Sequence, residues 1–182
     1  MRLLSTTAAL LIALSLGWAS NASAQSSDTK IEASVEGAFV LPLGDWADAS
    51  GPGLGVIARA DIQLQAKLKA SARVGYVFHI PKDQNGVDTS TSELLFLGGV
   101  MYDLGPVILD AATGFNSWTF KVDGGGFRGD DTETRIALWA GAKVPLGKVE
   151  VGANLFVPNL LLTKDEEDTQ LGLMATVGYR FL

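Results

Sequence analysis

The sequence contains no cysteine and only one histidine. Without cysteine the chain forms no disulfide framework, binds no metal through thiolates and offers no thiol to a lipid anchor. Basic residues are also few, because 14 Lys and Arg stand against 20 Asp and Glu, a net charge of −6. No basic cluster is present that could neutralise a row of phosphates, so we expect no nucleic-acid partner.

Long uncharged runs are missing beyond the first two dozen residues. The longest one covers 151–163, which is 13 residues. A helix that crosses a bilayer needs roughly 18 or more apolar residues. The sequence therefore predicts no transmembrane helix after its N-terminal region.

The N-terminal region has the pattern of a secretory signal. Arg2 is its only charged residue, an apolar stretch covers 3–18, and Ala22-Ser23-Ala24 forms a small-x-small cleavage site. We expect residues 1–24 to be a cleaved signal peptide, and an N-terminal membrane anchor is the alternative. Residues 25–182 then form one domain with 13 basic and 20 acidic residues.

The rest of the chain alternates apolar and polar residues, with no segment of helical periodicity. The alternation recurs in eight segments, at 30–41, 54–62, 67–80, 93–104, 107–115, 133–144, 148–157 and 171–181. Their apolar rows hold 45 positions without a single Asp, Glu, Lys or Arg. A period of two is typical of strands with one apolar and one polar face, so the fold is all-β.

The connections between these segments alternate between short and long. The short ones lie at 63–66, 105–106 and 145–147, and the long ones at 42–53, 81–92, 116–132 and 158–169. Short turns on one side and long loops on the other are typical of outer-membrane barrels. The pattern predicts an eight-stranded antiparallel up-and-down transmembrane β-barrel, whereas a soluble barrel with apolar rows pointing inward is the alternative.

The charges on the polar rows favour the membrane barrel. These rows hold eight acidic and eight basic residues, and an eight-stranded interior is filled by side chains, so ions buried there must be paired. We therefore expect the apolar rows to face lipid. The candidate interior ion-pair network comprises Glu32, Glu36, Arg59, Asp61, Arg73, Asp110, Glu133, Arg135, Lys143, Glu150 and Arg180.

Four motifs carry a resemblance to a known family: 42–46 (PLGDW), 53–56 (GLGV), 74–76 (VGY) and 177–181 (VGYRF). With them the chain resembles the OmpA/OmpX-type family of eight-stranded outer-membrane barrels over 25–182. The resemblance implies a Gram-negative outer membrane, periplasmic termini and extracellular long loops. It also implies contact with outer-membrane lipids and lipopolysaccharide, and with the barrel-assembly machinery during insertion. We expect a monomer without a cofactor, and the sequence names no surface ligand.

The only histidine, His79, provides a test for enzymatic activity. Catalysis by histidine requires a nucleophile or an acid as partner, and lipid-A-modifying enzymes exist on eight-stranded barrels. A lipid-A deacylase would need a His-x-Ser-Asn stretch, but His79 is followed by Ile80-Pro81-Lys82. A palmitoyltransferase would need an amphipathic helix before the first strand, where the sequence has only 25–29. We expect no catalytic residue and no metal ligand.

The long loops are acidic, with 11 acidic and 4 basic residues. Candidate surface contacts are Arg128 and Asp130, in an Arg-Gly-Asp tripeptide within a glycine-rich tip, and the run Asp165-Glu166-Glu167-Asp168. The leading hypothesis is a non-enzymatic barrel with a structural or surface-interaction role through these loops. A narrow pore for small solutes or ions and a lipid-A-modifying enzyme are the alternatives.

Overall fold

The computed structural model describes residues 30–84, 87–124, 127–160 and 169–181. The predicted signal peptide (1–24) and the acidic run 165–168 lie outside these ranges. The described chain consists of nine strands and one short helix. They are β1 (Ile31–Leu43), α1 (Asp45–Ala49), β2 (Gly53–Gln65), β3 (Leu68–His79), β4 (Lys82–Gln84), β5 (Val87–Asp103), β6 (Ile108–Gly124), β7 (Phe127–Leu146), β8 (Val149–Val157) and β9 (Leu171–Arg180).

Eight of these strands close into a barrel. Their order is β3-β2-β1-β9-β8-β7-β6-β5, and β3 pairs with β5 to complete the ring. All pairings are antiparallel. The short β4 pairs only with the first residues of β5, from Val87 to Thr89. The predicted eight-stranded up-and-down topology is confirmed. Closure pairs the backbone groups of every barrel strand on both sides, as a bilayer demands.

The two ends of the barrel differ. At the turn end, tight turns at 66–67, 104–107 and 147–148 join the strands. Both ends of the described chain also lie there, since the amide of Phe181 donates to the carbonyl of Ala33 at 3.0 Å. At the loop end lie α1, β4, the far ends of β6 and β7, and residues 158–160 and 169–170.

The alternation places apolar side chains outside and polar or tightly packed ones inside. Phe96 is 51% exposed and its neighbour Leu95 is 1% exposed, while Val177 and Thr176 are 58% and 2% exposed. Side chains that alternate in this way are expected of a barrel wall in lipid. Val157 is an exception, because this residue of a predicted outward row is buried.

The third long loop, predicted at 116–132, is instead a β-hairpin. Strands β6 and β7 stay paired from Asn116 opposite Arg135 to Gly124 opposite Phe127. The predicted boundary was wrong because the alternation of apolar and polar residues marks only the part of a strand that faces lipid. Where a strand leaves the barrel wall, both faces can meet water and the contrast fades.

The first long loop contains a helix where the sequence showed no helical periodicity. Helix α1 spans only five residues, and Gly44 before it has a φ of 60°, a left-handed conformation that favours glycine. One turn is too short for a periodic pattern to be recognised. Within the described ranges, no helix has the length and hydrophobicity to cross a membrane.

Candidate functional site

Arg59 is the centre of an ion-pair cluster in the half of the lumen nearest the turn end. Its side chain is buried, its Nε donates to Asp61 at 2.9 Å and its Nη2 donates to Glu150 at 2.6 Å. Its Nη1 donates to Glu36. One guanidinium thus neutralises three buried carboxylates, which matches its five fixed donors.

A second group of charges lies beside it against an aromatic ring. Arg73 Nη2 donates to Asp110 at 2.6 Å, and Lys143 lies 2.5 Å from Glu36 and 3.7 Å from Asp110. The guanidinium carbon of Arg73 stands 5.0 Å from the centre of the Trp139 ring, within cation–π range. The carboxylate of Glu36 therefore links this group to Arg59.

Further ion pairs complete the cluster at the turn end. Lys69 contacts Glu32 at 2.6 Å, and Arg180 lies 3.6 Å from Glu32 and 3.3 Å from Glu150. The lysine and arginine are partly exposed there, whereas the carboxylates are buried. The described part of the lumen near the turn end therefore pairs its acids closely with bases.

Glu133 and Arg135 do not belong to this interior cluster, which corrects their predicted position. They lie on the projecting part of β7 at the loop end, where Arg135 Nε donates to Glu133 at 3.0 Å. The side chain of Glu133 is 52% exposed. The error has the same origin as the misplaced third loop, since both residues were assigned to the lumen by extending the alternation.

An apolar layer fills the lumen above the ion pairs. Trp139 and Phe156 are fully buried in its middle, with ring centres 6.4 Å apart, and Trp139 Nε1 donates to Asn154 at 2.8 Å. The other buried members are Ala38, Val40, Trp46, Ile57, Val77, Leu95, Leu97, Ala112, Ala137 and Met174. These side chains pack into one buried cluster inside the barrel.

His79 lies above the apolar layer in a hydrogen-bonded group with Glu93 and Asn116. His79 Nε2 is 2.6 Å from Glu93 Oε1, His79 Nδ1 is 2.9 Å from the carbonyl of Gly51, and Asn116 donates to Glu93 at 2.6 Å. All three side chains are buried. Its partners are the Glu93 carboxylate and the Gly51 backbone carbonyl, and neither is a serine, threonine or cysteine side chain of the kind that a histidine base activates.

Trp46, on α1, packs over this group from the loop end and also reaches Phe156 of the apolar layer, with ring centres 6.4 Å apart. Its indole is 2% exposed and lies 5.4 Å from His79 and 5.7 Å from Trp118, measured between ring centres. The fit depends on Gly172, where an added Cβ would approach a Trp46 ring carbon to 2.6 Å. The 42–46 motif thus folds back into the barrel mouth and does not project from it.

A cavity of about 660 Å³ lies above Trp46. Helix α1 forms one wall, the β6–β7 hairpin forms another, and the residues before β9 form a third. Its lining residues are Leu43, Gly44, Asp45, Trp46, Trp118, Phe120, Asp131, Glu133, Arg135, Thr169 and Gln170. The volume is within the range of sites for small organic molecules.

The candidate surface contacts are only partly described. Asp130 is exposed and lies in β7, opposite Lys121 of β6. Arg128 belongs to the same strand by its backbone, but its side chain and the run Asp165-Glu166-Glu167-Asp168 lie outside the described residues. The Arg-Gly-Asp tripeptide therefore belongs to a strand, not to a glycine-rich loop tip. Within the described residues no group of His, Cys, Asp and Glu is arranged to hold a metal ion.

Known structures share this fold, although no family model and no curated protein matches the sequence. Ail, the attachment invasion locus protein of Yersinia pestis, gives a TM-score of 0.57 at 14% identity, over 84% of this chain and 97% of Ail. The N-terminal barrel domain of Pseudomonas aeruginosa OprF gives 0.55 at 14% identity, over 85% and 100%. A major outer membrane protein of Thermus thermophilus gives 0.54 at 13% identity, over 83% and 99%.

At such identities the likeness shows the fold alone. The chain has the closed eight-stranded antiparallel barrel of bacterial outer-membrane proteins, and this confirms the predicted fold class. The resemblance to the OmpA/OmpX-type family is supported at the level of architecture.

Several residues of the loop end were missed by the sequence reasoning. Trp46 was noted only within a motif, while Trp118 and Phe120 were placed in a loop. A detectable signal was present, because Trp118 and Phe120 continue the spacing of two along β6. Nothing in the local sequence, in contrast, shows that α1 brings Trp46 against them.

Proposed function

We propose that this chain is a non-enzymatic outer-membrane barrel whose loop end faces the cell exterior and binds positively charged partners. The filled lumen carries this proposal. The ion pairs and the apolar layer with Trp139 and Phe156 occupy the interior, so the barrel wall serves as an anchor. Surface chemistry is then concentrated at the loop end, where acidic residues outnumber basic ones.

The orientation in the membrane follows the usual arrangement of such barrels, with short turns in the periplasm and long connections outside. The missing cysteine allows a direct test. Asp130→Cys, at the loop end, and Lys148→Cys, at the turn end, each introduce one thiol at an exposed position. On intact cells, a membrane-impermeant maleimide should label Asp130→Cys strongly and Lys148→Cys only after the outer membrane is opened.

The reverse labelling pattern would overturn the proposal. Equal labelling of both variants in lysed cells is the control for thiol accessibility. Labelling of neither variant on intact cells, with both labelled after lysis, would also contradict a surface position of the loop end.

A narrow pore is disfavoured by the apolar layer, because ions crossing it would lose their hydration without polar replacement. Reconstituted into planar bilayers, the barrel should give no conductance above that of the lipid alone. Trp139→Ala should also remain closed, because Phe156 and its neighbours still seal the layer. Stable single-channel steps from the unmodified chain would favour the pore instead.

A lipid-A-modifying enzyme is disfavoured by the surroundings of His79. The side chain is 1% exposed inside the barrel and is held by Glu93 and the Gly51 carbonyl, whereas lipid lies outside the wall. Mass spectrometry of lipid A should show the same species with and without the expressed chain. A new or missing acyl chain that depends on His79 would contradict the proposal.

A further inference from the structure

The cavity above Trp46 combines aromatic side chains with acidic ones. Trp118 and Phe120 project from β6, and they lie opposite Glu133 and Asp131 of β7 in the pairing register. All four side chains therefore belong to one face of the hairpin, the face that lines the cavity. The other face carries Lys121 opposite Asp130 and does not line it.

The charges in the cavity are unbalanced. Three carboxylates, those of Asp45, Asp131 and Glu133, line it together with one guanidinium, that of Arg135. Arg135 already donates to Glu133, and neither Asp45 nor Asp131 has an ion pair in the described part of the chain. The hydrogen bond recorded for Asp131 comes from the amide of Thr132 at 2.9 Å. Among the residues described, the cavity thus lacks a cation that would match its acids.

The aromatic side chains form a platform beside these acids. Trp118 and Phe120 are partly exposed and line the cavity, and the ring of Trp118 packs against the buried Trp46, with ring centres 5.7 Å apart and planes 34° from parallel. Indole faces attract cations through their quadrupole, most strongly when water is partly excluded. An ammonium or guanidinium on an apolar stem would satisfy both the rings and the carboxylates.

We infer that this cavity is a binding site for an organic cation, an ammonium or guanidinium group attached to an apolar stem. The inference rests on the proposed surface role and deepens it, since it places the recognition of positive charge in one defined site. The cation has two possible sources, a free amine or a lysine or arginine side chain of a protein partner. Both present the same chemistry to the cavity.

The test uses two probes that differ in charge but not in shape. 2-Phenylethylamine carries an ammonium at neutral pH, and 2-phenylethanol carries a hydroxyl on the same aromatic stem. Each is titrated by calorimetry into the folded barrel in maltoside micelles, because a phosphocholine detergent would itself supply an organic cation. Titration into empty micelles gives the blank. We expect saturable binding of the amine and at least about tenfold weaker binding of the alcohol.

Matched variants locate the site. Asp131→Asn should weaken binding of the amine about fivefold, the effect of one charge at close range near a protein surface. Asp130→Asn changes the charge of the same strand by the same amount on the other face, and it should leave binding unchanged. Trp118→Leu should weaken binding about tenfold through loss of the ring. If Trp118→Leu fails to fold, as judged by heat-modifiable electrophoretic mobility, Phe120→Leu serves as the second variant that removes a ring from the cavity.

Equal binding of amine and alcohol would overturn the inference, and so would equal loss in Asp130→Asn and Asp131→Asn. Equal loss in the two variants would indicate a diffuse acidic surface, and the proposed function would still stand. The maleimide labelling tests only the orientation of the barrel. A reversed labelling pattern would therefore overturn the proposed function but would leave the result of the calorimetry unaffected. A capped Gly-Lys-Gly peptide distinguishes the sources: tighter binding than the amine supports a protein partner, and weaker binding supports a free amine.

Discussion

Replacing Arg59 by methionine should be among the most destabilising single changes in this barrel. The variant keeps an unbranched side chain of moderate length but removes the charge that neutralises Glu36, Asp61 and Glu150. The guanidinium is fully buried, so water cannot take its place freely. Removing one partner of a buried ion pair costs about 3–5 kcal/mol, because the remaining charge is left uncompensated.

The geometry also identifies which of the three carboxylates is left without a neutralising base. Glu36 keeps Lys143 at 2.5 Å, and Glu150 keeps Arg180 at 3.3 Å. Asp61 has no second base within ion-pair distance in the described part of the chain, and its Oδ1 already lacks a hydrogen-bond partner there. In the Arg59→Met background, Asp61→Asn should therefore restore more stability than Glu36→Gln, with a difference of about 1–3 kcal/mol.

Reversible urea unfolding in lipid vesicles, followed by tryptophan fluorescence, measures these free energies. Arg135→Met is the matched control, since Arg135 is also paired with a glutamate but at the exposed loop end. Arg135→Met should lower the free energy of unfolding by only about 0–1 kcal/mol. If Arg59→Met lowers the free energy of unfolding no more than Arg135→Met does, water reaches the lumen and the buried ion pairs do not stabilise the barrel as expected. Equal rescue by Asp61→Asn and Glu36→Gln would refute the assignment of the orphaned charge.

Three further predictions concern the wall and the hairpin. Ala140→Arg, on the lipid face of β7, should cost about 2–4 kcal/mol more than Ala140→Leu in the same unfolding assay, and equal stabilities would reverse the assignment of the two faces. The closed ladder should make the chain heat-modifiable, so boiled and unboiled samples in detergent should migrate differently in electrophoresis; identical mobility of a demonstrably folded sample would contradict closure. Joining Trp118 to Glu133 by an Asn-Gly turn should preserve heat-modifiability, because β7 pairs with β8 only from Leu138, but should abolish 2-phenylethylamine binding. Loss of folding would show that the hairpin is part of the barrel core.

The wall of the barrel could be predicted because every second residue faces lipid and therefore has to be uncharged. Forty-five positions in the predicted apolar rows without a charge leave little freedom in register, since a shift by one residue would turn each lipid-facing side chain inward. The charged positions Glu36, Arg59 and Asp110 could be assigned to the interior for the same reason. Their partners could not be assigned, because pairing across the lumen joins strands that are distant in sequence, as Arg59 and Glu150 show.

The loop end escaped prediction because no solvent boundary imposes a pattern there. The projecting parts of β6 and β7 carry acidic residues on both faces and threonine and serine on one of them, and such segments resemble loops in composition. The position of Trp46 depends on a single helical turn and on the space left by Gly172. Tertiary packing, and not local propensity, decides both features.

Under the proposed function, stability and recognition are separated along the barrel axis. The ion pairs around Arg59 and the apolar layer around Trp139 lie below the mouth of the barrel, so changes beyond Trp118 leave their contacts intact. Longer connections add little to the cost of folding, because the entropy of loop closure grows slowly with length. A chain built in this way can alter the residues around its outer cavity without endangering the wall. Under the proposed cation binding, the acidic and aromatic residues of the hairpin can then vary with the ligand without loss of stability.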